Sequence, residues 1–269
     1  MRAIQNDPYN KGDCDFSVTE LLKPPRQAAL MKKHANEIVE DASDRIWSLL
    51  GQAAHVICER GNQEELAEKR FFSKFESFVV SAQIDSLDLA SGILSDYKVT
   101  TQYKAKGSTP DPDFTAQLNM QAEILRRNGH EIKELRVIAI LRDWSKLKAA
   151  QDPELPQASV AVINLPMWTP EVVTSFINMR IALHVSAHDE LPTCSTEDRW
   201  AKPDVYAVMK GARAMNGGLQ FSQAAADALC AKNPGTRVEF RPGESTRCEH
   251  YCAASQFCDQ YKKLKGDRQ

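Results

Sequence analysis

The hydrophobic period of this chain changes sharply near residue 70, and that change limits the folds open to it. Over about 36–60, Ile38, Ala42, Ile46, Leu49, Leu50, Ala53 and Ile57 fall three and four residues apart. That is the repeat of a helix with one apolar face. From 70 to 99 the stretches "RFFSKFE", "FVVSAQID" and "GILSDYKV" read as short strands separated by turn signals. A polar loop, "KAKGSTPDPD", leads into a helix at about 113–128 that stops at Asn128-Gly129. Then "ELRVIAILRDW" and "ASVAVINLP" read as two largely buried strands. The stretch "TPEVVTSFINMRIALHVSAHDE" predicts a long amphipathic helix, capped by Thr169 with Pro170 at its first position. Helices interleaved with strands predict an α/β core over residues 1–190.

After Pro192 the character changes. Strand-like pieces ("DVYAVM", "TRVEF") flank a helix of small residues ("SQAAADALCA"), and a cysteine cluster closes the chain. Residues 191–269 therefore read as a smaller, cysteine-bearing appendage to the core. The 269 residues carry a formal net charge of -2, which argues against a generally basic nucleic-acid coat and leaves a local positive groove open. No run approaches the ~18 apolar residues of a membrane span, and "MRAIQNDPYNKGDC" lacks the apolar heart of a signal peptide. A cytoplasmic protein with no membrane partner is the expectation.

Two of the strand-like runs end on carboxylates, although aspartate is depleted from strands. Asp96 and Lys98 are two apart, so their side chains leave the sheet on one face. Asp85 ends the preceding strand, and a hairpin-like return would bring it beside Asp96. Two adjacent carboxylates repel unless a cation lies between them, and oxygen ligation suits magnesium or manganese. Lys98 then stands where it can orient a water or offset charge developing on a phosphate. An exposed hairpin bearing solvated charges is the alternative. On the first long helix His55 points away from the apolar stripe, with Gly51 one turn before it and Glu59 one turn beyond. On the later helix Gln117 and Gln121 stack one turn apart beside the stripe of Phe114, Leu118 and Leu125.

The series Gly51…His55, Asp85, Asp96-Tyr97-Lys98 and Gln117…Gln121 resembles the PD-(D/E)XK superfamily nucleases, in their RecB-like branch. "SVTELLKPPR" and "AILRDWSK" bring it nearest to phage- and prophage-type members. The resemblance covers roughly residues 17–165 and implies a restriction-endonuclease-like core, a mixed central sheet flanked by helices. It further implies that His55, Asp85 and Asp96 ligate magnesium or manganese, that Lys98 is the catalytic lysine, and that Gln117 supports the site. Ile84 stands where the family has proline, and Gln121 where it has tyrosine, so the tyrosine's role is not carried over.

Seven cysteines, an odd number, make a disulfide framework a poor fit in a chain without an export signal. Cys248, Cys252 and Cys258 in "RCEHYCAASQFCDQY" need a fourth ligand to close a zinc site or a four-iron cluster. Cys194, in the loop after the long helix, is the preferred fourth ligand, with Cys14 the alternative and His250 a substitute in a zinc site. The resemblance implies a 4Fe-4S cluster, because AddB-like relatives carry three C-terminal cluster cysteines. Their fourth cysteine precedes the nuclease core. Cys58 and Cys230 read as inert core thiols, and His184 and His188 as a solvated helix end.

Three functions follow. The first is a metal-dependent DNA nuclease, with exonuclease action implied by the resemblance, on single-stranded DNA or duplex ends in phage-type processing or recombination. Lys104, Lys106, Arg126, Arg127 and the tail lysines would track its phosphates, and a recombination or replication protein would be its partner. The second is a catalytically inactive, nuclease-like DNA-binding module with structural zinc. The third is a redox sensor built on the cluster.

Overall fold

The computed structural model describes residues 11–39, 46–61, 66–107 and 110–266. In chain order they begin with β1 (Phe16–Ser17), α1 (Val18–Leu21), α2 (Pro25–Lys33) and α3 (Ile46–Gly61). Five strands follow: β2 (Leu66–Ala67), β3 (Arg70–Phe75), β4 (Phe78–Gln83), β5 (Ser86–Asp88) and β6 (Ile93–Thr100). Next come α4 (Pro112–Arg127), β7 (Glu134–Leu141), α5 (Lys146–Gln151), β8 (Val160–Leu165) and α6 (Pro170–Ser186). The remainder holds β9 (Val205–Lys210), β10 (Arg213–Gln220), α7 (Gln223–Ala231), β11 (Arg237–Arg241), α8 (Thr246–His250) and α9 (Asp259–Gly266).

The chain divides into two compact units. One comprises 1–23 and 40–186, the other 24–39 and 187–269. The segment Pro24–Val39, which the sequence placed in the core, therefore belongs with the cysteine-bearing unit, and the division falls after Ser186.

The first unit is a mixed α/β fold whose central sheet runs β2-β5-β6-β7-β8. β6 and β7 pair in parallel, and every other neighbour in this sheet is antiparallel. A parallel pair needs a crossover, and α4 supplies it. Asp111 caps α4 by accepting from the N–H groups of Asp113 and Phe114, and Pro112 sits at its first position. α4 is buried on most sides. Leu118, Ala122 and Leu125 pack with Leu94, Leu135 and Val137 of the sheet, while Met120 and Ile124 face Val80, Val173 and Ile177. Leu118 is fully buried, and truncating it to alanine would cost about 2–5 kcal/mol.

β8 departs from the buried-strand expectation. It is the sheet edge, and Val160 and Val162 are exposed. The helix expected over 36–60 also differs. Its described part starts at Ile46, residues 40–45 lie outside the described ones, and Ile46, Leu49, Leu50 and Ile57 are exposed. The polar side of α3, not the apolar stripe, is the one turned toward the site.

The second unit holds the antiparallel sheet β10-β9-β11 with α7 against it. β10 escaped the sequence reading because Gly217 and Gly218 interrupt its pattern, and its pairing shifts register there. Leu30, Ala254 and Cys258 form a small core with Met31, Leu191, Cys252 and Tyr261 around it. His34 stacks on Phe257 with ring centroids 4.0 Å apart, fixing the 24–39 segment to the cysteine-bearing turns.

Candidate active site

One long, bent hairpin builds the site. β3 pairs with β4 from Arg70↔Gln83 to Phe75↔Phe78, and β2 pairs with β5 at Ala67↔Ser86 in the same register. Between these ladders the Glu68 N–H donates to the Asp85 carbonyl at 3.3 Å, and the Ile84 N–H to the Lys69 carbonyl at 3.0 Å. Glu68 therefore stands opposite Asp85. Its backbone has φ +50°, a left-handed conformation that costs energy for a side chain other than glycine. After Asp85 the chain turns through β5 into β6, and the Asp85 Oδ2 accepts the Tyr97 N–H at 2.7 Å.

Like charges facing each other across a hairpin destabilise it. Here His55 of α3 lies between them. Its Nδ1 is 3.2 Å from Glu68 Oε1 and 3.5 Å from Asp85 Oδ1. The hydrogen bond to Glu68 raises the His55 pKa above its ordinary value despite burial. Burial, joined by repulsion from Asp96, pushes Asp85 up to about 7. One ligand atom each from His55, Glu68 and Asp85 lie within 4.8 Å of one another.

Asp96 and Lys98 share a face of β6, as their spacing predicts. Asp96 is 1% exposed. Its Oδ1 accepts from Gln117 Nε2 at 2.7 Å, so Gln117 touches the site from α4. Lys98 Nζ lies 2.7 Å from Oδ2 as a close ion pair. Burial opposes the ammonium, but Asp96 outweighs it and holds Lys98 protonated above the usual lysine range. Asp96 is outside the mutual 4.8 Å group, in which Glu68 joins His55 and Asp85.

All of these side chains line one cleft of about 690 Å³. Gly51 lines it too, and a Cβ there would meet nothing within 4 Å, so the glycine leaves the cleft open rather than admitting a second backbone. Gln121 is buried on the cleft wall and donates to the Gln83 carbonyl at 2.9 Å. Gln83 in turn donates from Nε2 to Glu68 Oε2 at 2.7 Å and accepts from Arg70 at 2.5 Å. Glu68, Gln83 and Arg70 were missed in the sequence. The hairpin register was their signal, because folding "FFSKFESFVV" about Glu76-Ser77 sets Glu68 against Asp85. The side chain of Glu59 lies outside the described residues.

The donor set fits a divalent cation. An imidazole and two carboxylates converge, with the buried Asp96–Lys98 ion pair lining the same cleft. The outer basic residues are otherwise engaged. Lys104 pairs with Asp111, Lys106 with Asp152 and Glu154, and Arg126 and Arg127 with Glu123. Lys98 and Arg70 are the lysine and arginine that line the cleft.

In the second unit Cys194 and Cys252 each lie within electrostatic reach of Cys248 and Cys258. Burial first, then Asp198, Cys258 and Cys248, push the Cys194 thiol up to about 12. Burial also raises Cys248 and Cys252, followed for Cys248 by Cys252 and Cys258. No three of these sulfurs fall within 4.8 Å of one another, whereas Zn–S bonds of ~2.3 Å imply tetrahedral edges of about 3.8 Å. Cys14 belongs to the first unit, where its Sγ meets Ser81 Oγ at 3.2 Å and the Lys11 carbonyl at 3.3 Å. Glu244, Glu249 and His250 form a mostly exposed group. His184, expected to be solvated, is 5% exposed and meets the Leu21 carbonyl at 3.2 Å, while His188 is exposed. Cys58 and Cys230 are half-buried rather than core residues.

No protein-family model and no curated protein matches the chain. Among solved structures, SSO0001 matches at 14% identity and a TM-score of 0.48, over 68% of this chain and 83% of that one. A protein from Eubacterium rectale named "Putative exonuclease" matches at 12% identity and a TM-score of 0.33, over 65% of this chain and 68% of that one. No helix of the described residues is long and apolar enough to cross a membrane.

Proposed function

We propose that the first unit is a divalent-metal-dependent deoxyribonuclease of the RecB-like PD-(D/E)XK kind, acting as an exonuclease. The observation that carries this reading is the convergence of His55, Glu68 and Asp85 in a cleft that also receives Asp96, Lys98 and Gln117. Such a grouping of like charges is unfavourable without a cation, and maintaining it requires a use. His55, Asp85 and Asp96, joined by Glu68, would hold magnesium or manganese. When bound, the ion supplies Lewis-acid chemistry, lowering the pKa of water and polarising a phosphoryl oxygen.

The remaining roles fall to the chain itself. Gln117 fixes the Asp96 carboxylate through Oδ1, which leaves Oδ2 directed toward Lys98 and the cleft. Lys98, held protonated, places a fixed positive charge where negative charge develops on a phosphodiester under attack. Gln83 aims Glu68 through Nε2, while its side-chain Oε1 and the Ser81 hydroxyl hold Arg70 beside the acidic group, where a neighbouring phosphate would pass.

In the second unit the four thiols would hold a 4Fe-4S cluster. Four thiolates suit a four-iron cluster as they suit zinc, and the three closely spaced C-terminal cysteines favour the cluster by resemblance. The cluster would fasten the last turns of the chain to the Cys194 loop.

The test is cleavage of end-labelled single- and double-stranded DNA with magnesium, manganese or chelator. The reading expects metal-dependent mononucleotide release from ends. Tight binding without cleavage would instead indicate a DNA-binding module.

A further inference from the structure

Arg26 is a buried charge far in sequence from every cysteine of the second unit. It is 5% exposed. A desolvated guanidinium must satisfy its donors locally, and Arg26 directs them to two places. Its Nε donates to Cys258 Sγ at 3.3 Å, and another nitrogen donates to Asp259 Oδ1. Its third nitrogen donates to the carbonyls of Leu191 at 3.0 Å and Pro192 at 3.2 Å. One rigid fork thus joins the loop entering Cys194 to the turn that presents Cys258.

A second clamp works between the same pieces. Gln260 accepts the Cys194 N–H at 2.9 Å and donates to the Cys194 carbonyl at 2.9 Å. The loop ahead of Cys194 is therefore fixed from both sides. The sulfur contact has a chemical consequence as well. A neutral thiol is a weak acceptor, whereas an N–H bond from a cation to a thiolate is charge-assisted. Each thiol releases its proton when it ligates a metal, so four negative charges gather in this small core.

We infer that Arg26 is the positioning residue of the thiol site, stabilising the Cys258 thiolate and holding the Cys194 loop in ligating range. The inference rests on the thiol reading given above. Outer partners of this kind are worth about 10- to 100-fold in metal affinity. Lysine cannot replace the fork, because one ammonium cannot reach the sulfur, two carbonyls and a carboxylate together.

The test uses the full chain, reconstituted anaerobically with ferrous iron and sulfide, and in parallel with zinc alone. Arg26→Lys keeps the charge and stem, Arg26→Gln keeps a neutral donor, and Asp259→Asn removes an exposed partner while sparing the sulfur bond. Circular dichroism of the metal-free chains selects the variants that fold. Metal per chain, half-time of loss to a chelator and, for iron, midpoint potential are then read. Both Arg26 variants should lose metal about 10- to 100-fold faster than wild type, with a more negative potential, and Asp259→Asn, which removes one arm of the fork and spares the sulfur bond, should lose it more slowly than either. A folded Arg26→Lys chain with wild-type half-time and potential would overturn the role of Arg26 alone. A wild-type chain that takes up neither metal would overturn the thiol reading itself.

Discussion

Glu68 stands opposite Asp85 across one antiparallel hairpin, its N–H donating to the Asp85 carbonyl at 3.3 Å, with His55 lodged between the two carboxylates. In the proposed reading Glu68 is a member of the cation group, and Gln83 orients it from 2.7 Å. Glu68→Gln should weaken manganese binding by about 10-fold or more, and Gln83→Leu by less, because one removes a ligand and the other its support. Isothermal titration in the absence of DNA measures both. Wild-type affinity in Glu68→Gln would remove Glu68 from the group.

Asp85 gives a stability prediction with a definite sign. Its folded pKa is pushed up to about 7 by burial and Asp96, from an ordinary value of 3.8. Between those values the folded chain keeps a proton that the unfolded chain releases, so this residue's contribution to stability falls as pH rises from about 4 to 7. Asp85→Asn should therefore melt higher than wild type at pH 8 in chelator, with the difference shrinking toward pH 4. Added manganese should raise the melting temperature of wild type only. Thermal scans at the two pH values decide, and a lower melting temperature for the variant at pH 8 would contradict the charge argument.

Gln117 lines the cleft and donates to Asp96 Oδ1. Gln117→Leu frees that carboxylate, so kcat should drop by about 10- to 100-fold with little change in KM for DNA. Steady-state kinetics on a short labelled strand measures the split. A change confined to KM would make Gln117 a DNA contact instead.

Where several of these side chains point was legible in the sequence because short periodicities carry it, while their roles came from the family resemblance. The two-residue step from Asp96 to Lys98 sets both on one strand face, and the one-turn step from Gly51 to His55 sets both on the cleft side of α3. Glu68 was not legible, because its place depends on pairing across a turn and on a left-handed backbone at a glutamate. His55 was read as pointing away from the apolar stripe of α3, and Leu50 and Ile57 of that stripe are exposed. Periodicity says that a face exists, not what covers it. The home of Pro24–Val39 was equally hidden, since it rests on Arg26, Leu30 and His34 meeting residues far along the chain.

His184 supplies a second pH dependence. Burial first, then the Arg180 guanidinium, lower its pKa, and the Leu21 carbonyl and Glu20 offset them only partly. The unfolded chain takes up a proton below about pH 6.5 that the folded chain refuses, so stability is full above that pH and declines as pH falls. The slope approaches about 1.4 kcal/mol per pH unit at most. His184→Gln, which keeps a donor for Leu21, should flatten this part of the curve. Urea unfolding between pH 5 and 8 measures it, and identical slopes would show that His184 does not titrate with unfolding.

The central claim is that a cation group and the Lys98 ammonium act together in one cleft, and Lys98→Ala tests it most directly. The measurement pairs manganese titration calorimetry with cleavage of end-labelled DNA on the same preparation. The account predicts that the variant binds manganese within a few-fold of wild type while cleavage falls at least about 100-fold. Undiminished cleavage by Lys98→Ala, or a wild-type chain that neither binds manganese nor cuts DNA, would contradict it.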